Sequence, residues 1–257
     1  MKKRELVHIG VLTVIIAVME LTGIPSAFFI NIQIADIEPF YFTLMVNFLL
    51  IGVIAFIFKK FLCPNLKLGF TKTGLSQGFK KYGIICCVVG VLSFISFYLG
   101  LSPFDLQPSF AKVLTEGVIY YIGVAIIEEL YVRGLLLNLI EKICSKNKNS
   151  TLIAVVLSSV IFGVGHIVGV LGQPVPVIIG KIIWTIGMGM FFGMLYKKSN
   201  NLWLPIIAHF FINLCAIPYC FSSMQGYADI TLLIEVPLYF ALGVYSIIQL
   251  KKNNLLR

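Results

Sequence analysis

The stretch AIIEELYVRG, residues 125–134, places two carboxylates and an arginine directly behind an apolar run. Hydrocarbon is a poor solvent for charge, so Glu128, Glu129 and Arg133 need a reason to be there. Outward from them the chain stays apolar. Of its 257 residues, 59% are hydrophobic and 12% charged, with a mean hydropathy of +0.97. A soluble domain would carry about twice that share of charge. The first apolar run is too long for a cleaved leader and continues into more apolar chain. The sequence therefore reads as all-α: a polytopic membrane helix bundle, residues 1–257 forming a single integral-membrane domain.

A helix needs about 20 apolar residues to cross the hydrocarbon core. Eight stretches are read as spans on that basis, at about 6–30, 40–58, 82–101, 109–141, 151–171, 175–196, 202–219 and 229–250. The seventh is short and contains Pro205, which points to a tilted, kinked or partly interfacial segment.

Lysine and arginine asymmetry sets the orientation. Lys2, Lys3 and Arg4 precede the first span, and Lys59, Lys60, Lys67, Lys72, Lys80 and Lys81 lie between the second and third. Lys142, Lys146 and Lys148 follow the fourth, Lys197 and Lys198 the sixth, and Lys251, Lys252 and Arg257 the eighth. Seventeen of the 20 basic residues thus fall on one side, while the opposite loops hold Asp36, Glu38, Asp105 and Asp229. Both termini are expected in the cytoplasm. The net charge of +9 is then an orientation signal facing the lipid bilayer, and no nucleic-acid partner is expected.

The basic loop PNLKLGFTKTGLSQGFKK, residues 64–81, interleaves apolar residues with lysines. It has two readings, an interfacial segment drawn to anionic lipid or an ordinary connection. Tyr196 and Trp203 fit an interfacial aromatic belt. The six cysteines show no C-x-x-C spacing and read as small buried hydrophobes, without a disulfide framework.

Among ionisable groups in the spans, Lys112 and Glu116 can pair at i, i+4, and Lys181 can snorkel outward. Glu20 and Glu235 stand alone in the sequence and read as structural pairs within the bundle. The remaining set differs. Glu129 and Arg133 are four apart, so an intrahelical ion pair can fix that carboxylate, while Glu128 is rotated about 100° away. Adjacent carboxylates with unequal partners are candidates for unequal proton affinity and separate roles. Phe162 and His166 share a face at i, i+4, as do His209 and Asn213. By a rise of 1.5 Å per residue, Glu128 lies roughly 21 Å and His166 roughly 24 Å from the cytoplasmic side, so they can meet. His209, at roughly 14 Å on the same measure, joins them only if the seventh span begins deeper or tilts. Spacing alone leaves three readings: a catalytic cluster, an ion or proton path, or a polar network that specifies packing.

Taken together, EELYVR, FGVGH and HFFIN resemble the EExxxR, FxxxH and HxxxN motifs of the CPBP family. That family comprises the type II CAAX prenyl endopeptidases and the bacterial Abi, or bacteriocin-processing and immunity, proteases. The resemblance covers a motif-bearing core of about 109–219. It implies an intramembrane endopeptidase of about eight helices, a multi-pass protein of the cell membrane acting on a peptide or membrane-protein substrate. Carried over residue by residue, Glu128 is the general base on water, with His166 assisting. His209 and Asn213 position or stabilise the oxyanion. Glu129, Arg133 and Phe162 support the site. No cofactor is expected. Zinc is the alternative, with Glu128, Glu129, His166 and His209 as candidate ligands, although the H-E-x-x-H helix of common zinc proteases is absent. In a Lys- and Asn-rich, bacterial-looking chain, bacteriocin or pheromone processing, or bacteriocin self-immunity, is expected before cleavage of a prenylated protein. The competing reading is a non-catalytic transporter or immunity scaffold.

Overall fold

A computed structural model of the chain describes residues 3–22, 38–101, 109–218 and 229–254. Asp36, Asp105, Cys220, Lys2 and Arg257, used in the charge and cysteine readings, lie outside the described residues. The described residues are helical throughout their regular structure. The elements are α1 (Lys3–Thr22), α2 (Pro39–Leu62), α3 (Leu75–Leu99), α4 (Phe110–Glu129), a π-helical segment (Leu130–Leu137), α5 (Asn138–Ile143), α6 (Ser150–Gly165), α7 (Val175–Ser199), α8 (Trp203–Cys215) and α9 (Asp229–Asn254). A short 3-10 turn, Val168–Val170, follows α6.

Six described helices are long and apolar enough to cross a membrane: Tyr41–Leu62, Leu75–Leu99, Phe110–Ile143, Ser150–Val170, Val175–Ser199 and Asp229–Lys252. α1 carries Lys3, Arg4, Glu5 and Glu20 among its twenty residues. The seventh expected span is corrected in length. α8 has 13 residues, about 20 Å at the helical rise, short of the roughly 30 Å hydrocarbon core.

α7 is the central post, packed against α9 and α6, with Phe191, Phe192, Met194 and Leu195 fully buried. Small residues let its neighbours close in, as membrane helix interfaces require. A Cβ at Gly187 would run into the Tyr239 carbonyl of α9. Large apolar side chains such as Phe61, Ile84, Leu233 and Phe240 point outward instead. That outward face suits lipid, since acyl chains are as apolar as the side chains they meet.

The stretch at 64–81 is part connection and part helix. Leu66 and Leu68 are buried, and α3 begins at Leu75, so Lys80 and Lys81 belong to that helix and not to a connection. The loop clamps the start of α8. The Gly69 carbonyl accepts from Leu202 N at 3.0 Å, and Asn201 Nδ2 donates to the carbonyls of Thr71 and Thr73. Asn201 Oδ1 then accepts from the amides of Trp203 and Leu204, satisfying donors that a helix start leaves open. Asn200, left-handed at φ 52°, ends α7 and turns the chain into this clamp. Phe70 packs edge-on against Trp203.

Candidate active site

α4, α6, α7 and α8 converge on one cavity of about 610 Å³. Glu128, Phe162, His166, His209 and Asn213 all line it. The structure thus brings together the residues that the three short stretches singled out.

Glu129 and Arg133 form the floor beside this cavity. Both side chains are fully buried, joined from Arg133 Nη1 to Glu129 Oε1 at 2.9 Å. Arg133 Nη2 donates to the Gly189 carbonyl at 3.1 Å. Its guanidinium lies over the Phe162 ring at 4.7 Å and the Phe192 ring at 5.5 Å. The same Glu129 oxygen accepts from His209 Nδ1 at 2.9 Å. One carboxylate therefore anchors both a cation and a histidine, and fixes which histidine nitrogen carries a proton. His209 Nε2 is left facing Glu128 Oε2 at 3.6 Å. Phe192 stacks on the His209 ring at 4.8 Å and holds its plane. Asn213 follows one turn along α8, so His209 and Asn213 reach the cavity from the same face.

His166 caps α6. Its Nδ1 donates to the Phe162 carbonyl at 2.9 Å, and its ring packs edge-on against Phe162 at 4.5 Å. A carbonyl only accepts, so the proton sits on Nδ1 and the neutral ring presents Nε2 as an acceptor. Phe162 thereby orients His166 and shields Arg133.

The π-helical turns come directly after Glu129, a geometry that recurs at functional sites. Asn138 satisfies the backbone there. Its Nδ2 reaches the Gly134 carbonyl at 2.9 Å and the Arg133 carbonyl at 3.2 Å, and meets the Tyr196 hydroxyl at 2.9 Å. Lys197 ties Asn138 and Glu141 together from α7.

No three His, Cys, Asp or Glu side chains among the described residues gather as a metal-binding group. Glu128, Glu129, His166 and His209 share a neighbourhood without converging their free donors on one point. As they stand they do not fit a zinc site.

Residues 110–215 match the family model described as type II CAAX prenyl endopeptidase Rce1-like. This core, less than half of the chain, is similar to the CAAX protease family. The three quoted stretches all fall within it, so the resemblance read from the motifs holds, and the family is one of proteases. No curated protein matches the chain.

Three residues of the site were not singled out in sequence, and a fourth was given a structural role. Gly189 and Phe192 sit in GMGMFFG, residues 187–193, where the glycines signal close helix packing but nothing marks the phenylalanine. Tyr131 lies inside the first motif, and Glu20 was set aside as isolated; both line the cavity. The Lys181 ammonium lies over the Trp184 ring at 4.2 Å, and the residue lines the cavity. Glu235, from α9, accepts from Ser93 at 3.2 Å.

Proposed function

We propose that the protein is a multi-pass membrane endopeptidase that hydrolyses a peptide bond inside its helix bundle, with Glu128 activating water. One observation carries the reading: Glu128, His166, His209 and Asn213 face a single cavity while Glu129–Arg133 stands beside it as a fixed, buried support. Glu128 takes a proton from water as the oxygen attacks the scissile carbonyl carbon. His166 Nε2 assists as the second acceptor on that water. Asn213 Nδ2 donates to the oxyanion, and His209 does so from Nε2 when its ring is doubly protonated. On collapse the C–N bond breaks and the proton held by Glu128 passes to the leaving nitrogen. Peptide hydrolysis needs a base and oriented donors, and both gain strength in a cavity that excludes bulk water.

The proposal counts eight membrane helices, α1 and the short α8 among them, in a single domain with both termini in the cytoplasm. It takes the chemistry as metal-free. The substrate is a small peptide or membrane-associated protein. Bacteriocin or pheromone processing, or bacteriocin self-immunity, is the proposed setting, by analogy with the bacterial members of the CPBP family.

The test compares purified wild type and Glu128→Ala, each folded and reconstituted, after incubation with a tryptic pool of bacterial membrane protein. New termini are read by mass spectrometry and bound metal by elemental analysis. Cleavage by wild type alone, with no stoichiometric metal, supports the reading. Equal product from Glu128→Ala overturns it. Substrate-dependent flux into sealed vesicles without cleavage would favour a transporter.

A further inference from the structure

One wall of the cavity is closed by helices outside the matched core. Ser93 and Phe97 come from α3 and Tyr239 from α9, and they line the cavity together with Trp184 and Met188 of α7. Three rings form the wall. Trp184 stacks with Tyr239, 5.9 Å between centroids and 18° between planes, and tilts against Phe97 at 5.8 Å. α3 and α9 are pinned to each other just behind it. Ser96 Oγ donates to the Thr231 carbonyl at 3.3 Å, and Thr231 Oγ1 to the Ser96 carbonyl at 3.2 Å. None of these contacts involves a residue of the three motifs.

The polar groups of this corner are short of donors. Ser93 Oγ donates to Glu235 Oε2 at 3.2 Å. A hydroxyl carries one proton, so the 3.2 Å contact between Ser93 Oγ and Tyr239 Oη is donated by Tyr239. Both protons are then spent, and the chain Tyr239–Ser93–Glu235 ends in a carboxyl that is 0% exposed. Glu235 Oε1 is buried without a hydrogen-bond partner among the described residues. What the hydroxyl pair still offers the cavity is lone pairs, so a polar group bound there must donate. The Lys181 ammonium, over the Trp184 ring at 4.2 Å, lines the same cavity. A substrate ammonium or guanidinium would meet this like charge. An anion would meet the Tyr239 and Ser93 acceptors, with the Glu235 carboxyl behind them. A neutral donor on an aromatic ring meets neither penalty, and its ring gains offset or edge contacts with the rings of the wall.

We propose that this corner is a specificity subsite for a substrate side chain whose aromatic ring carries a hydrogen-bond donor, a tyrosine phenol or a tryptophan indole. The ring packs on Phe97 and Trp184, and its O–H or N–H donates to Tyr239 Oη or Ser93 Oγ. A site built to accept from such a group discriminates against the ring that lacks it, because its acceptors are then left unpaired. That the side chain belongs to a cleaved substrate rests on the endopeptidase reading; that the corner binds such a ring does not.

The first measurement needs no cleavage. The full chain in detergent is isotope-labelled at its methionine methyls, and the Met188 signal is identified by its loss in Met188→Leu. The protein is titrated with N-acetyl-tyrosinamide, N-acetyl-tryptophanamide and, as the ring without a donor, N-acetyl-phenylalaninamide. The Met188 signal shifts and saturates with the tyrosine or the tryptophan amide at a Kd about two- to tenfold below that of the phenylalanine amide, the range of one net neutral hydrogen bond. The tighter of the two separates phenol from indole. In Ser93→Ala/Tyr239→Phe, with the remote methyl signals unchanged, the advantage disappears. A phenylalanine amide that binds as tightly as both others, or a Met188 signal that none of the three shifts, overturns the subsite in wild type alone. An advantage retained in the double variant overturns it as well. The second measurement uses the membrane-peptide pool described above. One position beside the cleaved bond is enriched in tyrosine or tryptophan over phenylalanine, and the double variant loses that enrichment. Cleavage without such a preference overturns the corner as a substrate subsite. A wild type that cuts nothing counts against the endopeptidase reading, and the methyl titration then decides the corner by itself.

Discussion

At the residue scale, the site is built around one buried carboxylate. Glu129 accepts from Arg133 and His209 at the same oxygen, 2.9 Å from each. That leaves Glu128, its neighbour in sequence, free to face the cavity. The 100° rotation between adjacent helical positions makes this separation of duties available from the pattern Glu-Glu alone. Removing the cation should be costly. Arg133→Met leaves Glu129 buried and unpaired, and a loss of roughly 3–5 kcal/mol is expected. A thermal melt in detergent checks this; the added change Glu129→Gln should return part of the loss. Phe192 was invisible to sequence reasoning because a phenylalanine within an apolar run carries no signal. It matters through contact with two polar neighbours, the Arg133 guanidinium and the His209 ring. Only packing reveals that.

At the element scale, α8 decides whether the site assembles. Depth along the chain placed His209 too near the cytoplasmic side unless its helix began deep or tilted. In the structure α8 is a 13-residue helix held at its start by Asn201 and the 64–74 loop. Asn201→Ala removes the cap on two amides and both clamps on the loop, so a loss of about 0.5–2 kcal/mol is expected from the cap alone. Peptide cleavage should fall as well, because the same helix carries His209 and Asn213; a melt and a cleavage assay read the two effects. The short helix was legible in sequence as a weak seventh span, but the clamp was not. Gly69, Thr71 and Thr73 act through backbone carbonyls, which any residue has. α3 was misplaced for a related reason: Lys80 and Lys81 signal a basic loop by composition, yet they occupy the first turns of a helix. Around α7, Gly187→Ala should cost about 1–3 kcal/mol by forcing α9 away, and the melt of that variant checks it.

At the scale of the whole molecule, apolar runs and the three motifs gave class and core well, since hydrocarbon leaves helices few alternatives. The convergence of α1 on the site was not legible, because Glu20 is more than one hundred positions from Glu128 and no short pattern links them. The proposed orientation predicts that reporter fusions at both ends of the chain are active only as cytoplasmic markers; an exported marker active at either end contradicts it. If the hydrolysis is metal-free, a zinc chelator leaves cleavage unchanged, whereas loss with recovery on added zinc would reinstate the metal. The most direct measurement is peptide turnover by reconstituted wild type against Glu128→Ala of equal helix content. Glu128 as general base predicts a loss of about 10²–10⁴-fold in the variant. Turnover by Glu128→Ala equal to that of wild type would contradict it.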